Sequence, residues 1–270
     1  MSRQRPAIAV ASSVVAATAA ATAVLAGQAL QTKRRIGPRT TVPPYADGRY
    51  GSGEGTSIRL AVLGDSGAAG LGAEDPEQTM GVILARGLAE LSGRSVVLSN
   101  HAVVGAQTKD LGPQIERALW TRPHVAVIMV GANDITHLVP RMVSARRLER
   151  AVRDLRTEGV QVVMATCPDL GSVQPIPEPL KTMARRRSRA LADAQREASL
   201  AAGGRPVALG ARLGPEFAAR PEIMFAADRF HPSPAGYSAA AQALLPEVLA
   251  AWRLGETGEY LPEPTSPPPA

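Results

Sequence analysis

One cysteine, Cys167, stands in 270 residues. A single thiol excludes an intramolecular disulfide and a cysteine-cluster metal site. With no positioned base beside it in the sequence, it reads as a small core residue rather than a nucleophile. Aromatic residues make up only 3% of the chain. Single-strand nucleic-acid sites and extended sugar grooves rely on aromatic stacking platforms, so this scarcity argues against both. No Walker lysine follows a glycine-rich turn, and Gly67, Gly70 and Gly72 have the wrong spacing for a dinucleotide fingerprint. A Gly-x-Ser-x-Gly elbow is absent as well, because Gly64-Asp65-Ser66-Gly67 continues into Ala68. His101, His124, His137 and His231 are scattered, so no metal site is expected. There is no internal repeat.

The net charge of +6 is carried mostly by arginine. Acidic residues interleave with it through most helical stretches, which favours a solvated surface over a nucleic-acid partner. At the N-terminus Arg3 and Arg5 precede an uncharged run over 7–30, and Lys33, Arg34, Arg35 and Arg39 follow it. The run is long enough to span a bilayer but Ala-rich and mildly hydrophobic. Residues 1–35 read first as a signal anchor, second as a cleaved signal peptide and third as a soluble helix. The first two imply a membrane-anchored or secreted protein facing the outside of the cytoplasmic membrane. Residues 36–56 lack apolar periodicity and read as a linker. A folded domain is expected over 57–254, followed by a disordered Pro-rich tail over 255–270.

Within that domain, short apolar runs predict five strands, at 58–63, 95–98, 125–130, 160–166 and 206–209. Helical spacing predicts helices over 77–91, 110–120, 141–157, 180–202 and 235–254. Met80, Ile83, Leu84, Leu88 and Leu91 form the expected inner face of the first helix. Met142, Leu148, Val152 and Leu155 form that of the third. The arginines at 185, 186, 187 and 189 read as a solvated face. Alternating strands and helices predict an α/β fold with a parallel sheet covered on both sides.

In such a sheet all strand C-termini share one edge, where ligands bind. Ser66 follows the first strand, Gly105 the second and Asn133 the third, while Asp228 and His231 follow the fifth. A serine hydroxyl is a poor nucleophile without a base, and His231 can serve as one. Asp228, three residues earlier, can orient the imidazole. The backbone N–H groups of Ser66 and Gly105 and the amide of Asn133 can meet a developing oxyanion. Asp65 and Asp134 read as loop braces. Taken singly, each of these residues has an ordinary structural explanation, and the argument lies in their convergence.

The chain resembles the SGNH, or GDSL-type, hydrolases. The matches are Gly64-Asp65-Ser66, Asn100 through Gly105, Gly131-Ala132-Asn133-Asp134, and Asp228-Arg229-Phe230-His231. They span roughly 58–252. Gly67 stands where many members carry leucine. The Ala- and Arg-rich style is similar to actinobacterial members. The resemblance implies a three-layer α/β/α, flavodoxin-like fold and ester hydrolysis through an acyl-serine, without a cofactor. It implies Ser66 as nucleophile, His231 and Asp228 as the acid–base pair, and Ser66, Gly105 and Asn133 as oxyanion donors. An acyltransferase using the same acyl-serine and a silent membrane-tethered binding module are the alternatives. Acetylated wall polymer, acyl lipid and small metabolite esters all remain open as substrates.

Overall fold

A computed structural model describes residues 5–36 and 42–257. The expected tail lies outside them beyond Thr257, as does part of the expected linker. In order, the elements are α1 (Arg5–Ile36), β1 (Gly48–Tyr50), β2 (Ile58–Gly64), α2 (Ser66–Ala69), α3 (Met80–Ser92), β3 (Val96–Asn100), α4 (Leu111–Trp120), β4 (Val125–Met129), α5 (Ala132–Thr136), α6 (Arg141–Thr157), β5 (Gln161–Ala165), α7 (Leu180–Ala201), β6 (Arg205–Val207), α8 (Leu209–Ala219), α9 (Pro221–Met224) and α10 (Pro234–Thr257).

One sheet runs β1-β3-β2-β4-β5-β6. The five expected strands pair in parallel. A sixth, β1, adds antiparallel to β3 at the edge and lies within the expected linker. Its three residues carry no local strand pattern. Pairing with β3 and a non-local bond fix it instead: Asp47 Oδ1 accepts from the Asn100 N–H at 2.8 Å, while Tyr50 Oη donates locally to the Ala46 carbonyl at 2.7 Å.

Side chains alternate across the sheet because a strand's period is two. Leu60, Val62, Val127 and Val163 join a core with residues of α3 and α10. Ala61, Leu63, Ala126, Ile128 and Met164 join another with residues of α4 and α6. Each fully buried Leu, Val or Ile contributes about 1.5–3 kcal/mol of transfer free energy. Two expected core residues are not in the core: Leu91 and Met142 are each 52% exposed. They sit in the last turn of α3 and the first turn of α6, at helix ends where periodicity still points inward but packing has stopped.

The chain leaves β2 toward α3 on one face, and leaves β3 and β4 toward α4 and α6 on the other. Connections that diverge on either side of a strand open a crevice at its C-terminal end. That crevice begins at Gly64.

The uncharged N-terminal run is part of a helix, α1. Among the described residues no helix is long and apolar enough to cross a membrane. Alanine, the run's main residue, adds little hydrophobicity. In the arginine run of α7, Arg186 and Arg189 are exposed as expected, while Arg185 and Arg187 are partly buried. Arg189 lies 2.9 Å and Arg185 3.8 Å from buried Asp169, and Arg185 donates to the Gly171 carbonyl at 2.8 Å.

Candidate active site

The turn carrying Ser66 begins where β2 ends. Gly64 has φ +138°, and a Cβ there would lie 1.8 Å from the Met129 carbonyl oxygen, so only glycine fits so close to β4. The Asp65 N–H donates to that same carbonyl at 3.0 Å. Asp65 caps α2 by accepting from the Gly67 N–H at 3.0 Å. Ser66 is the first residue of this short helix. Its N–H has no protein partner among the described residues and is free to donate.

The loop after β3 comes to the same place. The Val103 N–H donates to the Gly64 carbonyl and the Ala106 N–H to the Val103 carbonyl, each at 3.0 Å. This tight turn carries Gly105, whose φ is +88°. After β4, Asn133 lies in α5 and its amide donates to the Ala106 carbonyl at 3.0 Å, leaving its second amide hydrogen available. Asp134 is fully buried and accepts from Thr108 Oγ1 at 2.6 Å and from the Thr108 N–H at 3.1 Å. The Gly105 and Asn133 loops are therefore bonded to each other, and the Gly105 loop to the Ser66 strand.

Asp228 and His231 reach the site after two helices, α8 and α9, that the sequence pattern does not announce. Asp228 Oδ1 accepts from the N–H groups of Phe230 and His231, both at 2.9 Å. Its Oδ2 lies 2.5 Å from His231 Nδ1. His231 Nε2 lies 3.0 Å from Ser66 Oγ. A carboxylate only accepts, so Nδ1 carries the proton and Nε2 is left to accept from the serine hydroxyl. The Phe230 ring meets the imidazole edge to face at 4.9 Å. Burial raises the Asp228 carboxyl, but hydrogen bonds from the His231 ring and the two N–H groups outweigh it and hold its pKa below the usual value. Asp228 is thus an ionised partner able to stabilise an imidazolium. Ser66 and His231 are 6% and 5% exposed, so their side chains meet little water.

The expected residues Ser66, Asp228 and His231 form one hydrogen-bonded series. Gly105 and Asn133 occupy neighbouring, interlocked loops. Asp65 and Asp134 brace turns. Cys167 lies 1% exposed in the core, and burial pushes its thiol pKa up, away from a reactive thiolate. Among the described residues no group of three or more His, Cys, Asp or Glu is placed to hold a metal ion.

Two supporting residues escape the sequence pattern. Gln114 of α4, fully buried, accepts from the Gly64 N–H at 2.7 Å and donates to the Gly64 carbonyl at 3.0 Å. Gln195 of α7, also fully buried, accepts from the Cys167 N–H at 2.7 Å and donates to the Val130 carbonyl at 2.9 Å. Each satisfies peptide groups where strands stop pairing and functional loops depart. The available signal was a glutamine on the inward face of an amphipathic helix, where a polar side chain must find partners.

Comparison with known proteins identifies the family. Residues 62–239 match the model of the GDSL-like Lipase/Acylhydrolase family. The GDSL-like esterase Rv1075c of Mycobacterium tuberculosis is 45% identical over 233 residues, covering 82% of this chain and 74% of that protein. Among solved structures, the lipase/acylhydrolase from Enterococcus faecalis superposes with a TM-score of 0.56 at 20% identity, covering 72% of this chain and 96% of that one. The acetyl xylan esterase AlAXEase gives 0.58 at 18% identity, covering 71% and 100%. The sheet order, the match over most of the domain and the esterase relative lead to one conclusion: the chain belongs to the GDSL-like lipase/acylhydrolase family, a family of ester hydrolases.

Proposed function

We propose that this chain is a serine esterase that cleaves carboxylic esters through an acyl-serine intermediate. The observation that carries the reading is the continuous series from Ser66 Oγ to His231 Nε2 at 3.0 Å and from His231 Nδ1 to Asp228 Oδ2 at 2.5 Å. Ser66 Oγ attacks the ester carbonyl as His231 Nε2 takes its proton. Asp228 holds the ring in the required tautomer and stabilises its positive charge. The carbonyl oxygen, now an anion, receives hydrogen bonds from the Ser66 and Gly105 N–H groups and the Asn133 amide. His231 returns the proton to the departing alcohol, leaving the acyl group on Ser66. Water, deprotonated by His231, then attacks the acyl-serine and releases the acid.

The limited exposure of Ser66 favours short to medium acyl groups, which can bring their carbonyl to the hydroxyl without a wide groove. The proposal extends to location. Arg3 and Arg5 before the uncharged run over 7–30 support an exported enzyme, which N-terminal sequencing of the protein recovered from cells and medium would test.

The direct experiment is hydrolysis of nitrophenyl esters, from acetyl to long acyl, by the full chain and by Ser66→Ala. We expect kcat to fall by at least about 10⁴-fold in the variant, as removal of such a nucleophile does elsewhere. Undiminished turnover by Ser66→Ala would overturn the mechanism. Adding an acceptor alcohol separates hydrolysis from acyl transfer by the product formed.

A further inference from the structure

The mechanism above needs Ser66 and His231 to be held 3.0 Å apart, although they are 165 residues apart in the chain. A weak hydrogen bond between two reacting groups cannot set that distance alone. Something must clamp the turn carrying Ser66 to the segment carrying His231.

Tyr237 makes this connection. It lies in the first turn of α10, six positions after His231, with its N–H donating to the Ser233 carbonyl at 2.9 Å. Its side chain is fully buried, and its hydroxyl donates to the Leu71 carbonyl at 2.7 Å. The Leu71 N–H in turn donates to the Ser66 carbonyl at 2.9 Å. One residue's peptide groups therefore join the nucleophile to the helix that follows the base. The next residue shows how closely the two segments abut: a Cβ on Gly72 would lie 2.7 Å from the Pro232 carbonyl oxygen and 3.1 Å from His231 Cβ. Leu71 is itself 3% exposed, so water is a poor substitute partner for its carbonyl. An unpaired buried carbonyl is costly, and the turn would shift to recover a donor.

We propose that Tyr237 is a positioning residue that sets the separation of Ser66 Oγ and His231 Nε2 through the peptide groups of Leu71. This rests on the serine esterase reading of the site. Tyr237→Phe in the full chain is the test, since it keeps the buried ring and removes only the donor. Displacement of a reacting group by about 1 Å can cost about 100-fold in rate. We expect kcat for nitrophenyl acetate to fall about 10- to 100-fold with KM within about twofold, and the rate of Ser66 labelling by a phosphonate to fall by the same factor.

Tyr50→Phe is the matched control. Tyr50 also donates its hydroxyl to a carbonyl, that of Ala46, at 2.7 Å. Its bond lies at the sheet edge outside the reacting loops, so its loss should leave kcat and the labelling rate within about twofold. Both variants are assayed at a temperature where circular dichroism shows them fully folded. Wild-type kcat in Tyr237→Phe, or equal losses in both variants, would overturn the positioning role. Turnover in Ser66→Ala would overturn the esterase reading separately.

Discussion

Two aspartates near Ser66, its sequence neighbour Asp65 and the His231 partner Asp228, are treated in opposite ways. Asp228 accepts hydrogen bonds from two backbone N–H groups and from the His231 ring, and its side chain is 30% exposed. Asp65, only 6% exposed, accepts from the Gly67 N–H at 3.0 Å. Burial raises both carboxyls. At Asp228 the hydrogen bonds win and the pKa falls below the ordinary value. At Asp65 burial wins, despite the Gly67 and Gly131 N–H groups and nearby His231, and its pKa rises to about 6. Exposure to water and the number of donors supplied, rather than closeness to the site, decide which way each carboxyl pKa moves. Asp228 is suited to face an imidazolium during turnover, whereas Asp65 is suited to hold a turn.

The sharpest way to break this contrast is Asp228→Asn. The amide keeps the shape but can present an N–H to His231 Nδ1, which favours the tautomer with the proton on Nε2. That ring cannot accept from Ser66. We expect kcat to fall about 10³- to 10⁴-fold with KM little changed, the scale seen when an orienting carboxylate is neutralised in a serine–histidine series. Steady-state kinetics on nitrophenyl acetate measures it. A loss below about tenfold would mean that the charge on Asp228 is not used.

The site is legible in the sequence because strand ends can be located from local patterns. The apolar runs ending at Leu63 and Val130, and the punctuation of Gly64 and Gly131, put Ser66 and Asn133 at one sheet edge. Asp228 and His231 are legible for a different reason: their spacing of three lets a carboxylate fold back on the following peptides. Features defined by remote partners do not show. β1 exists because β3 offers an open edge, and Gly48–Tyr50 has no strand pattern of its own. Gln114 and Tyr237 read as ordinary members of helices, since a buried polar group declares itself only when its acceptor is known. α8 and α9 stay hidden because internal Gly214 and Pro215 and the junction at Arg220-Pro221 obscure their period.

A smaller effect, on stability rather than turnover, tests the other half of the comparison. The Asp65 pKa is raised from 3.8 to about 6, so the folded protein binds more protons than the unfolded chain between those values. The stability that protonated Asp65 provides is complete below about pH 4 and is lost as pH rises through about 6. Above that, the ionised buried group costs the fold on the order of 3 kcal/mol at most, because a tenfold change in proton affinity corresponds to about 1.4 kcal/mol. Asp65→Asn is neutral throughout and keeps an oxygen for the Gly67 N–H. Urea unfolding should find the variant more stable than the parent at pH 8, with the gain shrinking to nothing near pH 4. Equal stability at pH 8 would mean that Asp65 is not penalised by burial.

The smallest effect is expected where a carboxylate keeps its water. Glu77 meets Arg86 through two bonds, at 2.5 and 2.7 Å, which looks stronger on distance alone than the 3.0 Å bond from the Gly67 N–H to Asp65. Both side chains, however, are about half exposed, at 50% and 56%. Water and salt then screen the attraction, and ordering two long side chains offsets part of what is left. Arg86 also lies over the Tyr50 ring at 5.5 Å, a contact that survives loss of the carboxylate. Glu77→Gln should therefore change unfolding stability by less than about 1 kcal/mol. If it moved stability more than Asp65→Asn does at pH 8, contact distance rather than solvent exposure would be ranking the carboxylates, and the contrast between Asp65 and Asp228 would lose its physical basis.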